Sequence, residues 1–94
     1  MAESATSKVF VDNDRTRVTE WRFEPGAATG WHRHEYDYVV VPLSDGRLEL
    51  VTGNDESRAA ELKAGVPYFR NVGVEHDVIN INDYEYAFIE IEFK

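Results

Sequence analysis

The chain has 94 residues, with 18 Asp and Glu against 10 Lys and Arg and no cysteine. That length allows one domain. The net charge of −8 opposes phosphate backbones and anionic lipid, and disulfide stapling is excluded. The apolar runs are too short to span a bilayer, and the polar start MAESATSK lacks the apolar stretch of a secretory signal. The sequence therefore reads as a soluble, cytoplasmic protein that partners neither nucleic acid nor membrane. Apolar residues make up 43% of it. A core this small is marginal alone, so a bound metal or a second copy of the chain is the expected staple.

In chain order, residues 1–8 read as a flexible tail and 9–94 as the single domain. Residues 9–11 form a brief β-prone run that Asn13-Asp14 turns, and 17–23 a strand stopped by Glu24-Pro25-Gly26. Residues 32–43 form a long β segment, broken or bulged near Pro42, which donates no ladder hydrogen bond. Asp45-Gly46 predicts a hairpin, since the pair accepts positive φ angles, with residues 47–52 as the partner strand. Gly53-Asn54-Asp55 turns into a strand ending at Leu62. Ala64-Gly65 turns again, ahead of strands at 68–70 and 75–81. In the last strand Ala87, Ile89, Ile91 and Phe93 share one face, and Glu90 and Glu92 the other. Many short strands at near-regular spacing predict an all-β sandwich or barrel.

The three histidines carry the chemistry. On a strand His32 and His34 point the same way, about 6.6 Å apart along the chain, close enough to share an ion. On a helix the same spacing would put them roughly 200° apart. His76 lies in another β run, where it can face the pair across a barrel. Neutral imidazole is a common metal ligand.

Residues 26–46 read G-AATGW-H-R-H-EYDYVVVPLSD-G, and residues 65–80 read G-VPYFR-N-V-G-VE-H-DVI-N. The pair resembles the two motifs of the cupin superfamily. Gly26, His32, His34 and Gly46 fall in register with the first, and Gly65, Gly73, His76 and Asn80 with the second. The run W-H-R-H-E-Y-D-Y-V-V-V-P-L further resembles a group of small cupins associated with β-alanine breakdown. The resemblance implies a double-stranded β-helix, a jelly-roll-like barrel, with one divalent metal on His32, His34 and His76. Two positions depart from it: the second motif's proline is Asn71, and the first motif's glutamate is absent, its place falling on Tyr38 or Val39. Regular strand parity from His34 sends Tyr36 and Tyr38 inward and Glu35 and Asp37 outward. Asp37 becomes a fourth ligand only if a bulge re-aims it.

Three neutral imidazoles leave the ion its full charge, which favours anionic ligands. Three-histidine iron sites serve the thiol and diketone dioxygenases of the superfamily, so the resemblance implies Fe2+, with Zn2+, Ni2+ or Mn2+ fitting the same ligands. The expected function is a metal-dependent, dioxygenase-type enzyme for a small anionic organic molecule. In that reading Tyr38 or Tyr36 contacts bound water or substrate, Asn80 faces the cavity, and Arg70 pairs with a substrate carboxylate. The alternative is a non-catalytic accessory protein that keeps the metal and binds a small ligand. Glu20 and Arg22 read as a solvated pair, and Glu85, Glu90 and Glu92 as a solvated strand face. Tyr86 and Phe88 share that face, where the partner in a homodimer would cover them.

Overall fold

The computed structural model describes residues 3–53 and 56–94. Among these described residues there are nine strands: β1 (Thr6–Asp12), β2 (Thr16–Phe23), β3 (His32–Arg33), β4 (Asp37–Pro42), β5 (Gly46–Gly53), β6 (Glu56–Leu62), β7 (Tyr68–Arg70), β8 (Glu75–Asn80) and β9 (Tyr86–Phe93). No helix occurs among the described residues, so none is there to cross a membrane. The strands form two antiparallel sheets, ordered β1-β2-β9-β4-β7 and β3-β8-β5-β6. Their facing sides make the core, in which Phe23, Leu48 and Tyr86 are almost fully buried and Phe23 packs on Phe88 with ring centroids 5.6 Å apart. Each such side chain contributes about 2 kcal/mol by leaving water.

Local chemistry accounts for most strand ends. The Asn13 carboxamide accepts from the backbone amides of Arg15 and Thr16, closing the β1–β2 turn. Gly65 and Gly73 adopt positive φ in the two turns flanking β7. The turn expected at residues 53–55 is described only at Gly53, with φ of 101°; residues 54 and 55 lie outside the described residues.

Three expectations are corrected. Thr6 to Lys8, read as tail, pair with Arg22 to Glu20 as the first half of β1, because β2 offers them an open edge. The break in the 32–43 segment falls at residues 34–36, not near Pro42; Pro42 stays in register with Phe88 and is fully buried. Asp45-Gly46 is no hairpin. β4 and β5 belong to different sheets, and the link between them is a corner. Tyr84 and Tyr86 pin that corner by donating from their hydroxyls to the carbonyls of Asp45 and Ser44, at 2.7 and 2.8 Å. Gly46 has no positive φ. It is glycine for lack of room, since a Cβ there would sit 2.9 Å from Asn82 Oδ1 and Tyr86 Cε1.

The last strand is inverted relative to the hydropathy reading. β9 runs between β2 and β4, and its inward residues are Tyr86, Phe88, Glu90 and Glu92, each no more than 7% exposed. Ile89 and Ile91 face outward and are half-buried. Cross-strand register aligns Val11, Val18, Ile91, Val39 and Phe69 in one apolar row across the outer side of the five-stranded sheet.

Asn80 closes the end of the barrel. Its Nδ2 lies within hydrogen-bonding distance of the carbonyls of Phe23, Glu24 and Tyr84, and its Oδ1 accepts from both nitrogens of Asn82. Asn80→Ala strands several of these groups at a site only 1% exposed. The variant is expected to lose about 3 kcal/mol in urea unfolding while metal uptake by the folded fraction is unchanged.

Candidate metal centre

β3 and β8 pair so that His32 lies directly opposite His76, and the bend after β3 swings His34 inward beside them. His34 is fixed by its own backbone: its amide donates to Val74 O and its carbonyl accepts from Gly73 N, both at 2.9 Å. The positive φ of Gly73 lets that loop close on it. The three Nε2 atoms converge, with 3.1 Å between His32 and His34 and 3.0 Å between His34 and His76.

Which ring nitrogen carries each proton sets whether such contacts are hydrogen bonds or meeting lone pairs. His32 Nδ1 donates to the Gly30 carbonyl at 2.9 Å, and His34 Nδ1 lies 3.2 Å from Glu90 Oε1. In a neutral imidazole that spends its one N–H at Nδ1, Nε2 presents a lone pair. Burial, reinforced by the neighbouring His32 and His34 and by Arg70, pushes His76 down to about 3, so His76 is neutral at pH 7. Lone pairs converging at this distance are satisfied by a cation. Three nitrogens about 2.1 Å from an ion, on one face of an octahedron, would be about 3.0 Å apart. The donor set therefore fits one divalent metal.

Glu90 was not legible as part of the site. It is 6% exposed, and its position on a strand of alternating Glu and Ile read as solvated. Its carboxylate lies against Nδ1 of the His34 ring, a carboxylate–histidine pair of the kind that orients metal ligands. Glu92, two residues on, is held by the Arg17 guanidinium through two bonds of 2.7 and 3.0 Å. Glu85 is exposed and bonded to Arg22, itself paired with Glu20, as expected of solvated residues.

The tyrosines separate. Tyr38 is buried and stacks on the His34 ring, with centroids 3.9 Å apart and planes 17° from parallel. Burial, and then the charge of Glu90, raises its hydroxyl well above the usual phenol range, so it stays protonated and is a donor rather than a base. The bend at residues 34–36 breaks strand parity, and Tyr36 stands beside Arg17, whose guanidinium carbon is 5.9 Å from its ring centroid. Asp37 is turned away and accepts from the Val72 amide at 2.7 Å. No bulge re-aims it toward the histidines. Asn80, expected to face the cavity, spends its amide on the loops at the closed end. Arg70 reaches the site: it stacks on Tyr68 at 4.6 Å and, with His34, His76 and Glu90, lines an interior cavity of about 210 Å³. A larger, more polar cleft of about 430 Å³ reaches His32, His34 and Glu90 from the β1–β2 side. His34 and Glu90 border both.

Two sheets folded into a barrel, with motif histidines turned onto one interior point, define the class. Residues 19–92 match the cupin domain family, and the chain belongs to it. It is 57% identical over 90 residues to the β-alanine degradation protein BauB of Pseudomonas aeruginosa, covering 96% of this chain and 94% of that protein. A cupin domain from Bordetella pertussis superposes with a TM-score of 0.96 at 52% identity, over 100% of this chain and 97% of that one. A conserved protein with a double-stranded β-helix domain from Klebsiella pneumoniae shares the fold, with a TM-score of 0.75 at 22% identity over 94% and 75% of the two chains.

Glu90→Gln keeps the volume but removes the charge that orients His34. Metal affinity is expected to fall about 10- to 100-fold, read by competition with a chelating dye, with little change in the far-UV spectrum. An unchanged affinity would show that Glu90 does not support the ligand.

Proposed function

We propose that this cupin binds one divalent metal, Fe2+ in the cell, on His32, His34 and His76, and acts as a metal-dependent oxidoreductase on a small carboxylate in the cytoplasm. The observation that carries the reading is the convergence of three Nε2 atoms, with 3.1 Å between His32 and His34 and 3.0 Å between His34 and His76. Iron(II) held by neutral imidazoles supplies Lewis acidity and one-electron chemistry with dioxygen. The name of the Pseudomonas relative, a β-alanine degradation protein, directs the substrate search to short carboxylic acids.

The protein's own groups have distinct tasks. Glu90 fixes His34, and the stacked Tyr38 ring holds the other side of the same imidazole. The Tyr38 hydroxyl, kept protonated, donates to an anionic ligand. Arg70 attracts the carboxylate. Val40, Leu48 and Val78 form an apolar wall that keeps bulk water from the histidines.

A second reading, a non-catalytic ligand-binding or accessory protein, rests on one observation. Among the described residues Glu90 is the only carboxylate that lines the interior cavity, and it lies against His34 Nδ1 rather than standing free as a base there. Protein purified without a His-tag or added nickel decides between them. About one iron per chain, with oxygen uptake on a short-chain acid that is lost in His76→Ala, is the enzymatic outcome. Tight ligand binding without turnover is the accessory one.

The chain also works as a homodimer, built on the outer face of the five-stranded sheet. The partner covers Ile89, Ile91 and Val39 there, not Tyr86 and Phe88, which the core already buries. Light scattering is expected to give twice the chain mass of 10.8 kDa, and Ile91→Glu to give a folded monomer. A monomeric parent chain would overturn this assignment.

A further inference from the structure

The interior cavity is lined by His34, His76 and Glu90, by apolar side chains of β4, β5, β8 and β9, and by two guanidiniums, those of Arg70 and Arg58. Arg70 lies on β7, an edge strand of the five-stranded sheet, and Arg58 on β6, an edge strand of the other. Arg58 shares strand parity with Ala60 and Leu62, the residues of β6 that turn toward the core. Among the described residues no carboxylate lies within ion-pair distance of either guanidinium. Arg70 is held by stacking on Tyr68 and by donating to the Phe69 carbonyl at 2.9 Å, which leaves its remaining N–H groups for a ligand.

The charges that face the cavity are two guanidiniums and the Glu90 carboxylate, which is spent on His34 Nδ1. The surplus is positive without metal and grows with a divalent ion. A zwitterionic amino acid could seat its carboxylate on the arginines, but its ammonium would then remain in a cavity whose net charge is positive. A hydroxyl, a carbonyl or a second carboxylate in that place would be attracted.

We infer that the cavity selects short-chain carboxylates whose far end carries oxygen, as hydroxy, oxo or dicarboxylic acids, and rejects their amino counterparts, with Arg70 and Arg58 as the carboxylate-recognising pair. This deepens the metal-dependent reading above, and its selectivity against amines rests on that reading.

The test uses redox-inert Zn2+-loaded protein, so that binding is read without turnover. Calorimetric titrations compare propionate, 3-hydroxypropionate, malonate and β-alanine, with zinc content measured on each sample. 3-Hydroxypropionate and malonate are expected to bind at least about tenfold more tightly than β-alanine, which matches 3-hydroxypropionate in shape. Arg70→Gln is expected to weaken all the carboxylates by about tenfold at unchanged zinc content, and Arg70→Lys by less, because it keeps charge and loses the fork. Arg58→Gln repeats the experiment should Arg70→Gln fail to fold. β-Alanine binding as tightly as 3-hydroxypropionate overturns the inference, as does propionate affinity that ignores both arginine substitutions. If the chain takes up no zinc, the metal-dependent reading fails by itself. Propionate binding to that metal-free protein still decides the role of the arginines, supporting it if lost in Arg70→Gln and overturning it if kept.

Discussion

The contact between His34 Nδ1 and Glu90 Oε1 is the constraint on which the rest of the interior depends. A carboxylate that is 6% exposed is tolerable only with a partner, because an unpaired buried charge costs several kcal/mol. His34 is that partner. The need runs in both directions: without Glu90 the imidazole loses the acceptor that fixes its tautomer and its ring plane. The bond ties the central strand of one sheet to the loop between β3 and β4. It thereby joins the barrel's packing to the geometry of the histidine cluster.

The strands themselves were legible because their causes are local. Asn13-Asp14, Glu24-Pro25-Gly26 and Ala64-Gly65 punctuate the chain, and β-branched and aromatic residues fill the stretches between. The histidine set was legible because a two-residue spacing on a strand has one geometric consequence, although His34 reaches the cluster from a bend and not from the strand itself. Parity across that bend brings Tyr38 onto the His34 ring, while Tyr36 stands beside Arg17. Sheet membership was hidden, since a corner and a hairpin use the same residues. Only the distant Tyr84, Tyr86 and Asn82 make Asp45-Gly46 a corner.

The sidedness of β9 was the deepest concealment. Alternating Ile and Glu ordinarily puts Ile in the core. Here the choice is reversed by partners remote in sequence, Arg17 for Glu92 and His34 for Glu90. These paired residues lie toward the histidine cluster, and Tyr86 and Phe88, earlier on the same strand face, belong to the hydrophobic core. One strand thus serves as core at its beginning and as polar lining at its end. No property of the strand taken alone reveals where the change occurs.

His34 and Glu90 stand between two cavities of different character. Both residues belong at once to the wall of the polar cleft and to the wall of the apolar cavity. A substitution at either one therefore reshapes two spaces together, and neither space can be altered at that wall while the other is left as it was.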